Sequence, residues 1–354
     1  MPKGCEILPG GVADPDFAQP AKVEVVEQVG AATTFSLAYP TSISDGDIAL
    51  VEEAALGPEA PLAVRVTDGD ATAILVHGPV TGQRISVVTG GDGSMVEVLG
   101  ADRSVELARE ARVKVWPDTT DGDAISAILL QAGFLQTDID VPGGASHTQA
   151  KHALVQRESD LHLLRRLARR NGCWFWFSYD PATALPTAHV ARPPVDKDPV
   201  VSFNLAGEER NIDDAKIQWD VERVVAADAS ARDPFGATEL DGTTEKSPLN
   251  PLATKPLSEI VSAVRRARLT APVDDGADLI ARSEAALIEQ GWFVSAEITA
   301  SARKLKQVVR ACTVAELHGA SKRHSGKYLV ARVVHAIDDE DHTMTITLIR
   351  NGWN

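Results

Sequence analysis

The sequence predicts a mainly β protein interrupted by a mixed α/β insertion. Three observations predict it. From Lys22 to Val115, short β-like runs alternate with turns. Between Val155 and Phe177 come a strand end, a capped helix, a glycine stop and an aromatic strand. The final sixty residues return to strand-like runs at Trp292–Thr299, Val308–Leu317, Lys327–Ile337 and Thr343–Arg350.

Residues 1–20 are rich in Gly, Pro and Asp and read as an arm. The first β region then offers Lys22–Val26, Thr33–Ala38, Asp47–Val51, Leu62–Thr67, Thr72–His77, Arg84–Thr89 and Met95–Leu99 as strands. Gly90-Gly-Asp-Gly93 is a hairpin connection between the last two. Such spacing suggests a sandwich or barrel. A helix follows Trp116-Pro-Asp-Thr-Thr-Asp121, with Ile125, Ile128 and Leu129 on its apolar face and Gly133 at its end. A polar loop with Pro142-Gly-Gly144 leads to the central unit.

In that unit Ser159 is a helix N-cap, and Asp160 places negative charge on the first turn, where the helix dipole favours it. Leu161, Leu164, Leu167 and Ala168 share one face. Arg165, Arg166, Arg169 and Arg170 crowd the C-terminal turns, and Gly172 supplies the left-handed stop. Cys173–Phe177 is apolar on both alternating faces, which predicts a strand buried on both sides.

Further strands are expected near Ala188–Ala191, Val200–Phe203 and Lys216–Val225. Residues 228–256 are polar, with several prolines, and read as a loop or linker. Helices are expected from Ser258 to about Leu269 and from Gly276 to Gln290, the second stopped by Gly291. Asp338-Asp-Glu-Asp341 forms the turn of the last hairpin. Two β units of similar size flank the mixed segment, the arrangement an old duplication would leave, although no strict short repeat is visible.

Composition narrows the function. At 354 residues the chain is long enough for two or three domains, and 44% hydrophobic content is that of an ordinary globular protein. The formal charge of −15 argues against general nucleic-acid binding and against adhesion to an anionic membrane. An acidic wall would repel anionic cargo rather than hold it. Three cysteines, Cys5, Cys173 and Cys312, are few and far apart, so neither a disulfide framework nor a zinc site is supported. No segment approaches the roughly 20 apolar residues of a spanning helix, so no membrane anchor is expected. The chain is expected to stay in the cytoplasm unless a particle carries it out.

Candidate chemistry is sparse. The nine histidines form no HExxH and no i, i+4 pair. His335 sits in an apolar strand and reads as a core or interface residue. His318 and His324 flank a turn, where a metal is the alternative reading. Asp118, Asp121 and Asp123 lack the distal Glu of a calcium loop and read as helix capping. Glu158 and Asp160 read as a cap with an ion pair to Arg157 or Arg165, not as an acid/base pair. Gly90–Gly93 lacks the Lys-Ser/Thr of a phosphate loop. No residue merits assignment as catalytic, and no cofactor or metal is expected.

Three motifs carry a family resemblance. The central segment reads Q-x-E-S-D-x-x-x-L-x-R-L-x-x-x-x-G through Gln156, Glu158, Ser159, Asp160, Leu164, Arg166, Leu167 and Gly172. Gly78-Pro-Val-Thr-Gly82 and the Leu99–Leu107 segment, with Asp102 and Arg103, form a second passage. The closing segments contain Gly326, Tyr328, Val330 and His335, then Arg350 and Asn351. Together they resemble the phage late control D proteins and the hub part of the valine-glycine-repeat (VgrG-like) proteins of type VI secretion and related contractile injection systems. The resemblance spans roughly residues 78–351. The first seventy residues match poorly, and Val309-Arg-Ala-Cys-Thr313 stands where the family often has Pro-Gly.

The resemblance implies a fold and a role. The expected fold is two tail-tube-like β-barrel domains flanking a mixed α/β domain. The expected boundaries are an arm at 1–20, a first barrel at 21–115 completed by about 205–227, and an inserted α/β domain at 116–204. A linker at 228–256 and a second barrel with helices at 257–354 complete the plan. The expected role is structural: a homotrimeric baseplate hub that adapts a hexameric tail tube, or a tube-initiator protein, to a trimeric spike among other baseplate proteins. The chain ends just after Asn351, where fused relatives continue, so the spike is expected to be a separate protein. Alternatives are a hub-associated cell-wall hydrolase, which needs two convergent acids, and a carbohydrate- or peptide-binding β protein, which needs Trp116, Trp219 or Trp353 exposed in a groove.

Overall fold

The structure is a computed structural model that describes residues 4–14, 17, 20–42, 48–68, 71–88, 93–142, 146–232, 238–269 and 276–354. The chain is mainly β. Its first six strands are β1 (Cys5–Pro9), β2 (Lys22–Gln28), β3 (Thr34–Pro40), β4 (Pro61–Asp68), β5 (Ala71–Ser86) and β6 (Met95–Ala101). β2 and β3 alternate buried and half-exposed residues, the period that a sheet with one covered face imposes. Three sequence expectations change here. Residues 5–9 of the expected arm pair with β4. Residues 49–51, expected as strand, form a 3-10 turn. The runs at Thr72–His77 and Arg84–Thr89 belong largely to one 16-residue strand, which pairs with β4 in its first part and β6 in its second, and Gly78 sits within it where Ala101 and Asp102 press against the backbone. The expected Gly90–Gly93 turn lies mostly outside the described residues, as do 143–145 of the loop after Pro142.

The mixed segment contains β7 (Ala111–Trp116), β8 (Thr119–Thr120), α1 (Asp121–Gln131), β9 (Thr137–Asp140), β10 (Ser146–His147), β11 (Leu154–Ser159), α2 (Asp160–Arg170), β12 (Trp174–Tyr179) and β13 (Pro186–Ala191). Leu163, Leu164 and Leu167 of α2 pack against Ile125, Ile128 and Leu129 of α1 in one apolar cluster. Each such burial contributes roughly 1.5–3 kcal/mol. Both helices end alike. Cys173 N–H reaches Ala168 O (2.9 Å) and Gly172 N–H reaches Arg169 O (3.0 Å), while Phe134 and Gly133 repeat the pattern on α1. Gly133 and Gly172 have φ of 79° and 70°, the left-handed stop that these glycines predict. The strand after α2 departs from expectation: Phe175 is buried, but Trp174 and Trp176 are half-buried. Their rings instead lie against Trp292 and His189.

The remaining strands are β14 (Val201–Asn204), β15 (Asp214–Trp219), β16 (Ala226–Arg232), β17 (Glu239–Asp241), β18 (Lys255–Pro256) and β19 (Arg266–Leu269). After α3 (Gly276–Gln290) come β20 (Val294–Ser301), α4 (Ala302–Leu305), β21 (Val314–His318), α5 (Ser321–His324), β22 (Gly326–Ile337), β23 (His342–Arg350) and β24 (Gly352–Trp353). The expected helix at 258–269 is absent. Only Leu257–Glu259 turn, and β19 pairs in parallel with β16. Cross-strand pairing there overrides local preference: Arg266 bridges Asp228 and Glu245 (2.9 Å each). The expected 228–256 linker also contains short strands, β17 paired with β16 and β18 with β24. The expected strands at Lys216–Val225 and Val308–Leu317 are shorter than predicted, as β15 and β21.

Twelve strands share one sheet, and its order repeats. The first six run β1-β4-β5-β6-β3-β2. The second six run β14-β21-β22-β23-β20-β15, which is the same permutation. One difference is that β1 is antiparallel to β4, whereas β14 is parallel to β21. Val25, Phe35, Gly100 and Val80 form one rung of the first six. Ile217, Ala296, Leu348 and Val330 form the matching rung of the second. In each case a bulge follows at once, between Val80 and Gly82 and between Val330 and Arg332. The two sets join where β2 pairs antiparallel with β22, from Val23↔Ile337 to Gln28↔Arg332. Separate apolar clusters line the two sets.

Candidate functional site

The sequence motifs converge on two buried polar networks. In the first, Gln156 on β11 is fully buried and accepts from Trp116 Nε1 (3.2 Å) while donating to Asp160 Oδ1 (2.7 Å) and Glu158 O (3.1 Å). Asp160 in turn pairs with Arg112 (3.1 Å), and Glu158 with Arg166 (2.8 Å), not with Arg157 or Arg165. Ser159 Oγ accepts from His162 N–H as the N-cap of α2. Leu164 and Leu167 are buried beneath it. The Gln156 amide thus has protein partners for both its oxygen and its nitrogen, which satisfies a buried amide.

The end of α2 closes a second part of this network. Asp121 is buried and receives Asn171 Nδ2 (2.7 Å), His147 Nε2 (2.8 Å) and the guanidinium of Arg170. Burial alone would raise the Asp121 carboxyl, but these partners hold it below its ordinary value. The helix cap expected of Asp118, Asp121 or Asp123 is Thr120, which accepts from Asp123 N–H (3.1 Å). Of the remaining α2 arginines, Arg169 pairs with Glu289 of α3. Asp102 accepts from Thr33 and Ser104 N–H, so it ties the β2–β3 turn to the start of the insertion. Burial raises its carboxyl. Arg103 pairs with Glu106 (3.0 Å) and lies over the Phe134 ring (4.6 Å).

The other network sits where β2 meets β22. Glu27 accepts from Arg310 Nε (2.6 Å) and from Ala311 N–H (3.0 Å). Arg310 also reaches the carbonyls of Ile74 (2.6 Å) and Leu75 (3.0 Å) on β5. His335, fully buried, lies 3.3 Å from Glu27 and 3.0 Å from His342. The tautomers that satisfy both have His335 Nε2–H donating to the carboxylate and Nδ1 accepting from His342. Burial would raise the Glu27 carboxyl, yet Arg310 and His335 hold it below its ordinary value. Burial lowers His335, and burial with His335 alongside lowers His342 to about 3.

The closing motif anchors the last strands. Gly326 has φ of 119°, a backbone that favours glycine. Tyr328 is fully buried and donates to His324 O (2.8 Å), and Val330 precedes the β22 bulge. Arg350 is buried, donates to Ser325 O (3.2 Å) and lies 5.2 Å from the Tyr328 ring centre. Asn351 accepts from Leu252 N–H (2.9 Å) and donates to Asn250 O (3.1 Å), which pins the 228–256 segment to the end of β23.

Sequence reasoning missed Glu27, Arg310 and His342. One signal was present: Arg310 lies in the segment that departs from the family's Pro-Gly. Among the described residues, no three His, Cys, Asp or Glu side chains gather as a metal would need. Trp116 is buried, but Trp219 is 55% exposed and lines a groove with the half-buried Trp353.

The chain thus combines one strand order used twice in a single sheet with a helical insertion, a fold that solved tail proteins share. The fold is similar to a Neisseria meningitidis MC58 tail protein, with TM-score 0.68, 14% identity, and coverage of 99% of this chain and 97% of that one. It is also similar to the 43 kDa tail protein of prophage MuSo2 from Shewanella oneidensis (TM-score 0.64, 15% identity, 98% of each chain). A third similar structure is an Escherichia coli component of the type VI secretion system (TM-score 0.61, 12% identity, 98% of this chain and 77% of that one). No curated protein sequence matches closely. The family model described as phage tail baseplate hub (GPD) matches residues 44–341, and the chain belongs to that family.

Proposed function

We propose that this hub protein acts as a homotrimeric ring that adapts a hexameric tail tube to a trimeric spike, with no catalytic step of its own. The single observation that carries the reading is the repeated strand order. Three copies of a chain with two equivalent six-strand units present six similar positions to a hexameric partner, while the chain itself keeps threefold symmetry for a spike. In this reading each unit is a tail-tube-like barrel, and the insertion at 116–204 braces the ring from outside. Asp102, Arg103, Gln156, Glu158, Ser159, Asp160, Arg166 and Gly172 then serve to hold that brace. Gly326, Tyr328, Val330, His335, Arg350 and Asn351 hold the second unit and its joint to the first. The acidic composition suits a lumen that does not retain anionic cargo. The family match and the tail-protein fold support the reading.

Light scattering on the purified protein, alone and co-expressed with its tube and spike partners, tests it. The expected mass is that of a trimer, either alone or once the spike is present. A monomer under every condition overturns the ring.

A further inference from the structure

We infer that the ring closes by antiparallel pairing of β15 of one copy with residues 82–86 of β5 of the next, in the register Ile217 opposite Ile85. The inference rests on the ring reading and goes beyond it by naming the two edges and their register. It follows from the repeated strand order. In the first unit β2 is the terminal strand, and it pairs with β22 of the second unit. By the matching permutation, β15 corresponds to β2, and β5 corresponds to β22. The joint used inside the chain therefore has one unused counterpart, β15 with β5.

Both edges are open among the described residues. β15 pairs only with β20, and residues 82–86 pair with β6 on one side alone. An open edge is a template for another strand. The register comes from the matched rungs. Inside the chain Val25 faces His335, five residues past Val330. Val25 corresponds to Ile217, and Ile85 lies five residues past Val80. Lys216 then faces Ser86, Gln218 faces Arg84, and Trp219 faces Gln83.

Side-chain exposure agrees with this pairing. Ile85, Val87 and Trp219 are 44%, 51% and 55% exposed. Their counterparts at the internal joint, His335, Ile337 and Glu27, are buried by the neighbouring strand. The β15 side chains Ala215 and Ile217 are only half-buried, whereas Val23 and Val25 of β2 are fully buried. The occupant is thus a second copy of this chain: each edge has the length, apolar face and register of the partner that the other supplies. The two edges differ, so the contact is head-to-tail and must close into a ring or extend into a filament.

Paired cysteines test the register. Facing residues of an antiparallel pair lie about 4.5–5.5 Å apart at Cα, within disulfide reach. The three native cysteines are buried. The chain carrying Ile85→Cys and Ile217→Cys, oxidised in the assembled state, is expected to give covalent dimers and trimers under denaturing, non-reducing conditions. Ile85→Cys with Lys216→Cys, whose side chain projects to the other face, is expected to give none. Circular dichroism melts of both variants check the fold. A trimer by mass that fails to cross-link at 85 and 217, or that cross-links only through Lys216→Cys, overturns the pairing and leaves the ring reading standing. A monomer by mass overturns both.

Discussion

Arg310 Nε lies 2.6 Å from Glu27 Oε1, although 283 positions separate the two residues. The pair ties the loop before β21 to β2, and the same guanidinium reaches the backbone of β5. One side chain from a loop of the second six-strand unit therefore clasps two strands of the first.

Removing one partner of this pair is expected to cost more than removing both. Arg310→Met leaves the Glu27 carboxylate buried with one histidine and one backbone donor, a loss of about 3–5 kcal/mol. The double variant Glu27→Gln with Arg310→Met is expected to recover part of that loss. Urea unfolding midpoints of the single and double variants measure it. Equal losses for both would show that the pair adds packing alone.

The same cluster sets a pH dependence. His342 falls from an ordinary 6.5 to about 3 in the fold, and His335 is also lowered. At these two rings the unfolded chain therefore binds more protons than the fold below pH 6.5. The stabilisation from keeping both rings neutral is complete above that pH and is lost as the pH falls toward 3. The slope reaches about 1.4 kcal/mol per pH unit for each group. Glu27, also lowered, adds its loss at the acid end. Melting temperatures should hold from pH 7.5 to about 6.5 and fall from there to pH 4.5, less steeply in His342→Gln. An identical slope in that variant would remove His342 from the account.

In the insertion, Gln156→Leu strands the Trp116 indole N–H and removes one donor from Asp160. The expected loss is about 2–4 kcal/mol, since a buried group without its partner bears its full desolvation cost. Near-ultraviolet dichroism of Trp116 together with a chemical melt reads it. A variant as stable as the parent would show that water replaces the amide.

Gly172→Ala tests the stop between α2 and β12. A Cβ there meets Ile288 Cδ1 at 2.5 Å, and the backbone has φ of 70°. The expected loss is about 1–2 kcal/mol, read as a lowered melting temperature. Gly133→Ala shares the left-handed backbone but meets nothing within 4 Å, so it should cost less. Equal costs would assign the whole effect to the backbone and none to the packing of α2 on α3.

Local chemistry was legible in the sequence wherever the cause is local. Ser159, Gly133 and Gly172 mark helix ends because caps and left-handed stops depend on a few adjacent residues. The β2, β3, β6 and β23 runs are visible because one covered face imposes alternation. The motif around Gln156 could be recognised, yet nothing local says that its amide meets Trp116.

What only the tertiary structure decided is non-local. The helix expected at 258–269 gave way to β19 because β16 and its acidic neighbours offered pairing. The Glu27–Arg310–His335–His342 cluster draws on residues hundreds of positions apart and carries no spacing signal. The repeated strand order survives in topology without a visible sequence repeat, because a sheet needs only apolar alternation and many sequences supply it. The sequence by itself determined the helix stops, most strand positions and the family. The tertiary structure decided which strands meet, which charges are buried together and which edges are left open, because burial and pairing depend on residues that only folding brings together.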